Sequence, residues 1–155
     1  NYFLKGGVTL KLEILIDESV EDLHIQVTCK QLTSDIERII ASLRVLNRQL
    51  TAKKNGEIYF LDIIQIIYIE NVDRKSFVYT ADDIFECDLR LYELEQQLEE
   101  FGFFRVSKSF LIYLPKIQSL RAEFDRKVRI TMSNGEQIIA SRQYADELKR
   151  KLGVK

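Results

Sequence analysis

The chain has 155 residues, 46% hydrophobic and 30% charged, enough for one ordinary domain or one domain with an arm. One proline and six glycines exclude a collagen-like or linker-rich protein, and no apolar run approaches the roughly 20 residues that cross a bilayer. The net charge of −1 conceals an asymmetry: residues 101–155 carry 12 Lys+Arg against 5 Asp+Glu, net +7, whereas residues 1–100 carry 11 against 19, net −8.

The opening NYFLKGG is set aside in the fold reading. Residues 8–16, VTLKLEILI, alternate apolar and polar, with Leu10, Leu12, Ile14 and Ile16 on one face. That pattern predicts a half-buried strand. Residues 23–29, LHIQVTC, alternate again, and the acidic DESVED between them reads as a hairpin turn. The period changes over 33–49. Thr33 or Ser34 can cap a helix, Glu37 is placed as a capping-box partner of Ser34, and Ile36, Ile39, Ile40, Leu43 and Leu46 form one stripe. Residues 8–49 therefore read as a ββα arm. It either pairs with the same arm of a second copy, giving a two-fold dimer, or covers its own chain.

From residue 50 the chain reads as short strands. Asn55-Gly56 is the strongest short hairpin signal, joining 50–54 to 57–61. Residues 63–70, IIQIIYIE, are nearly all apolar and predict a buried central strand. A polar break at Asp73-Arg74-Lys75-Ser76 precedes strands at 77–80 and 84–87. Residues 89–98 have helical spacing, and Gly102 is placed to stop them. Further strands are predicted at 103–106, 110–113, 117–121, 127–132 and 136–140, the last two joined by a two-residue turn at Asn134-Gly135. Ser141 is placed to cap a terminal helix over 142–152, which Gly153 ends. The fold class is mainly β with short helices.

No basic stretch leads into an apolar one, so no secretory signal is expected. Cys29, Cys87 and His24 are too few for a tetrahedral metal site, and they read as free buried thiols and a lone imidazole in a reducing cytoplasm. Neither a glycine-rich phosphate loop nor a matched acid–base pair stands out. The expectation is a protein that is not an enzyme, with no cofactor, metal or small-molecule substrate. The positive C-terminal third offers phosphates a place to bind; the competing reading is two solvated faces that neutralise each other. Phe101, Phe103, Phe104, Phe110 and Phe124 read as core, with a stacking platform for single strands as the alternative.

Four phrases in order, GEIYFLDIIQIIYIENVDRKSFVYT, LYELEQQL, FFRVSKSFLIYLPKIQSL and NGEQIIASRQYADELKRKLG, resemble the LytTR-type DNA-binding domain of bacterial response regulators and stand-alone transcription regulators. The resemblance covers about residues 50–153. It implies antiparallel β-sheets with a terminal helix, reading double-stranded DNA by loops at a sheet edge and usually acting on paired half-sites as dimers or pairs of domains. No receiver domain is laid out in residues 8–49, and the arm resembles the N-terminal segment of stand-alone members. Those are often associated with a small membrane protein, so the resemblance implies such a partner alongside a homodimer.

Three contact segments follow from the resemblance. The first is the break holding Arg74, Lys75 and Ser76. The second is Ser107-Lys108-Ser109, preceded by Arg105, where family members commonly carry Asn at the position of Lys108. The third is Arg142-Gln143 at the start of the last helix, where Arg is frequent at the position of Gln143. Arg and Lys suit phosphate or guanine edges, and Gln suits adenine. The departures at 108, at 143 and at Tyr113, where Asn is frequent, together with the acidic first hundred residues, motivate the alternative of a protein-interaction module of the same fold. Which applies depends on whether these cations share one surface.

Overall fold

The computed structural model describes residues 2–3 and 9–155. Two short strands, β1 (Tyr2–Phe3) and β2 (Thr9–Leu10), pair antiparallel. Residues 11–29 form no strand, so among the described residues the predicted pairing of 8–16 with 23–29 is not formed, although its turn is; residue 8 lies outside the described residues. The Asp17 carboxylate accepts from the amide and hydroxyl of Ser19, and these bonds hold it below the usual carboxylate range. Leu12, Ile14, Ile16 and Leu23 stand in solvent. Alternation marks two faces but supplies no cover and no hydrogen-bonding neighbour. Cys29, expected to be buried, is exposed, and Cys87 is buried.

Helix α1 (Ser34–Leu46) is capped by Thr33, whose hydroxyl accepts from Ile36 N–H at 3.4 Å. The third helical residue after that cap is Ile36, so the Ser34–Glu37 box is not the one used. The chain divides into two compact units between Ile40 and Ala41, inside α1.

In the second unit a seven-stranded antiparallel sheet has the order β4-β3-β7-β6-β5-β9-β8, built from β3 (Gln49–Lys54), β4 (Glu57–Asp62), β5 (Ile66–Val72), β6 (Lys75–Thr80), β7 (Ile84–Cys87), β8 (Phe103–Arg105) and β9 (Phe110–Tyr113). A second sheet holds β10 (Ile117–Ala122), β11 (Val128–Met132) and β12 (Gln137–Ala140). Helix α2 (Leu91–Leu98) precedes β8, and α3 (Arg142–Leu152) follows β12.

The large sheet separates two cores. On one face Ile66, Ile69, Val78, Phe103 and Leu111 pack with Leu91, Leu94 and Leu98 of α2 and Val45 of α1. On the other, Ile67, Tyr68, Phe104 and Ile112 pack with Ile130, Met132 and Ile138 of the small sheet and Ala145 and Leu148 of α3. Adjacent residues of β8 and β9 thus enter opposite cores, as a period of two requires. The first four residues of β5, Ile66 to Ile69, form an unbroken buried run because both faces of the strand are covered there. Its register shifts between Ile66, opposite Thr80, and Tyr68, opposite Tyr79. The extra residue of this bulge puts neighbours Ile67 and Tyr68 in the same core.

The turns explain the registers. Asn55 (φ 51°) and Gly56 (φ 78°) are both left-handed, the two-residue turn whose twist matches the strands, and Lys54 faces Glu57. The second predicted turn differs. Only Gly135 (φ 86°) is left-handed there, Gly135 N–H bonds Met132 O, and Met132 N–H bonds Glu136 O. That is a three-residue loop closing on a glycine bulge. Of the five phenylalanines read as core, Phe103 and Phe104 are buried, Phe101 and Phe110 pack at the margins, and Phe124 stands in solvent.

Candidate nucleic-acid interface

The β5–β6 connection is a two-residue hairpin turn, like that between β3 and β4. Val72 faces Lys75, and the two residues between them, Asp73 (φ 49°) and Arg74 (φ 67°), are both left-handed. Asp tolerates that conformation, whereas a long side chain does not prefer it. Glycine would fit better at 74, so the strain is kept together with an exposed guanidinium. Arg74 and Lys75 are exposed and have no ion-pair partner among the described residues. Replacing Arg74 by glycine is expected to leave stability unchanged or raise it by up to about 1 kcal/mol, while removing the cation. Thermal melting beside a DNA titration checks both arms.

Ser76 does not belong with them. Its side chain is 1% exposed, and its hydroxyl donates to Leu89 O at 2.7 Å. The strand alternates, so the residue after exposed Lys75 turns inward, and the hydroxyl is consumed in tying β6 to the segment before α2.

The Ser107–Ser109 break is shaped from within. Val106 N–H bonds Phe110 O at 3.1 Å, closing the loop. The Ser107 hydroxyl oxygen accepts from the amides of Ser109 and Phe110, each at 3.2 Å. Its acceptor capacity is turned inward, leaving its proton to donate outward. Arg105 is clasped to the loop: Nε donates to Ser107 O at 2.7 Å, Nη2 to Lys108 O at 2.6 Å, and Nη1 to Glu95 Oε2 of α2 at 2.8 Å. The guanidinium fork is occupied, so Arg105 positions the loop rather than extending from it. Lys108, held at the tip, is exposed and has no carboxylate partner among the described residues.

At the start of α3, Ser141 takes the cap position with extended backbone (φ −68°, ψ 159°) but makes no side-chain cap bond. The amides of Arg142 and Gln143 have no internal acceptor among the described residues, the arrangement that binds phosphate at a helix N-terminus. Arg142 and Gln143 are exposed; Arg142 Nη1 lies 3.4 Å from Asp125 Oδ1 in a solvent-facing pair.

Two backbone hydrogen bonds join the three segments. Asn71 N–H donates to Ser109 O at 2.8 Å, and Ser141 N–H donates to Val106 O at 2.9 Å. The β5–β6 turn, the 107–109 break and the start of α3 therefore lie side by side along one rim. The other basic cluster, Lys149, Arg150 and Lys151, occupies the last turn of α3, about 10 Å along the helix from Arg142. Cations suit the negative end of the helix dipole there. Tyr113 is structural: its ring stacks on Phe103 at 4.7 Å. Burial beneath the small sheet pushes the Tyr79 hydroxyl up to about 12, and its bond to Glu70 at 2.9 Å adds to this.

Sequence reasoning assigned no contact to residues 123–127, reading Phe124 as core and Lys127 as the start of a strand. Lys127 precedes Val128, which pairs with Ala140, and Ala140 precedes Ser141. This loop is thus a neighbour of the α3 start, and the signal available was an aromatic set among charges between two strands.

The LytTr DNA-binding domain family matches residues 56–153. An uncharacterised HTH-type transcriptional regulator of Staphylococcus aureus strain NCTC 8325 is 24% identical over 147 residues, covering 94% of this chain and 99% of the relative. A counterpart from the bovine strain RF122 is 25% identical over the same span. In this chain α1 and α2 are separated by strands β3–β7, and α2 and α3 by β8–β12. No two of the described helices are joined by the short turn of a helix-turn-helix reader. Among solved structures, the LytTr DNA-binding domain of a protein described as a methyl-accepting/DNA response regulator from Bacillus cereus superposes with a TM-score of 0.65 at 24% identity, covering 68% of this chain and 97% of that one. The chain belongs to the LytTR family of DNA-binding domains.

Proposed function

We propose that the protein is a sequence-specific double-stranded DNA-binding regulator of transcription, reading its site with Arg74, Lys75, Lys108, Arg142 and Gln143. One observation carries the reading: segments more than 30 residues apart in sequence are hydrogen-bonded side by side, Asn71 to Ser109 and Ser141 to Val106. Each brings exposed polar or cationic side chains to the same rim. Arg142 and the free amides of α3 meet phosphate, Lys108 and Arg74 meet phosphate or guanine edges, and Gln143 meets adenine. Ser107 and Ser109 contribute through loop shape and single donated bonds, Arg105 through the clasp. This convergence favours DNA reading over a protein-interaction module, which has no need of exposed cations from three segments on one rim.

Two copies bind paired half-sites as a homodimer, with residues 8–49 as the pairing arm. The exposed Leu12, Ile14, Ile16 and Leu23 are the apolar surface such pairing would cover. The protein works in the cytoplasm, where its target DNA lies, and a small membrane protein is a second partner for the arm.

Selection of bound sequences from a random duplex pool, followed by titration at 50 and 200 mM salt, tests the proposal. A paired motif with centres about 10 base pairs apart or a multiple of it is expected. Affinity should fall at least about 100-fold between those salts if 5 or more phosphates are neutralised. A single unpaired motif would remove the dimer, and binding absent at low salt or insensitive to salt would remove the DNA reading.

A further inference from the structure

The loop over residues 123–127 holds the most exposed aromatic side chain of those described. Phe124 is 91% exposed, and its position is built rather than slack. Glu123 N–H bonds Lys127 O at 2.9 Å. Asp125 (φ 63°) and Arg126 (φ 60°) are consecutive left-handed non-glycine residues, a costly conformation that persists only where the surroundings impose it. Glu123 takes Arg129 and Arg121, and these bonds hold its carboxyl below the usual range. Asp125 reaches Arg142 at 3.4 Å. With the acids of the loop so occupied, Arg126 and Lys127 remain exposed without an ion-pair partner among the described residues.

The ring therefore projects from the rim of the DNA-reading segments, beside the first residue of α3 and flanked by two free cations. A solvated phenyl group is a poor choice for a turn, and a single apolar side chain of this kind fits one feature of the major groove, the thymine methyl. We propose that residues 124–127 form a fourth DNA-contacting element, in which Phe124 packs on a thymine methyl next to the base read from α3 and Arg126 and Lys127 hold the adjoining phosphates. The proposal rests on the DNA-binding reading above and adds a specificity determinant to it.

The test uses the full chain and its selected duplex, with each thymine replaced in turn by deoxyuridine, which deletes only the methyl group. Wild type is expected to lose affinity on the order of ten-fold at one position on the α3 side of each half-site. Phe124→Ala should bind the unmodified duplex with a similar loss and be indifferent to deoxyuridine at that position, with an unchanged melting temperature. Arg126→Ala should weaken binding to all duplexes alike and reduce the salt slope by about 1. If Phe124→Ala binds as wild type does, or keeps the deoxyuridine penalty, the fourth element is wrong while the three-segment reading stands. If Phe124→Ala changes only the sedimentation mass, the ring belongs to a protein contact and the proposal falls. If wild type binds no duplex, the DNA reading falls and takes this inference with it.

Discussion

Arg105→Ala is expected to weaken binding to the selected duplex on the order of 10- to 100-fold and also to lower stability by about 1–3 kcal/mol. The two losses share one cause. The guanidinium holds Ser107 O, Lys108 O and Glu95 Oε2 together, and no other side chain in the loop spans those acceptors. The two carbonyl bonds carry most of the stability, because Arg105 is 17% exposed while Glu95 is 40% exposed and its pairing is screened. Without the clasp the 107–109 loop must be ordered when DNA binds, and affinity drops by that ordering cost. Lys108→Ala should produce a comparable loss of affinity with no change in melting temperature, since Lys108 is exposed. Arg105→Lys separates the roles. An ammonium keeps the charge but cannot reach three acceptors in a plane, so it should fail to restore binding. Full rescue by lysine would show that Arg105 acts through charge alone and that the clasp has no function.

Ile66→Ala should cost about 2–5 kcal/mol, a large share of the roughly 5–15 kcal/mol that holds a domain of this size. Ile66 is fully buried, and it sits at the start of β5, one residue before the bulge. Strand β5 pairs with β6 and with β9 and contributes to both cores. A cavity there has little freedom to collapse, because the bulge fixes which residues face each core. The denaturation midpoint should fall with an unchanged slope, in a single transition, while DNA affinity at temperatures where the variant is folded stays near that of wild type. Two separate transitions would mean that the cores are not coupled through β5. A binding loss at full folding would place Ile66 in the interface rather than beneath it.

Local signals carried most of the domain. Asn55-Gly56 set a hairpin register because left-handed residues in a two-residue turn allow no other twist, and the spacing of Leu91, Leu94 and Leu98 marked the buried side of α2. Strand β5 could be read as central because an unbroken apolar run such as Ile66 to Ile69 needs cover on both faces of the strand. The strands expected over 11–29 did not form, because alternation describes a strand that has found a neighbour, and the neighbour is not encoded locally.

Sequence alone determined the family and the mainly β class, since these follow from residue types and short-range spacing, and it supplied a set of candidate contact residues. Tertiary structure decided which of those residues are available. Ser76 turned inward to Leu89 and Arg105 became a clasp, whereas Phe124, read as core, faces solvent. Each outcome depends on what packs against a face, and that is supplied by strands tens of residues away. The alignment of the three segments on one rim is likewise fixed by two long-range backbone hydrogen bonds that no local pattern specifies.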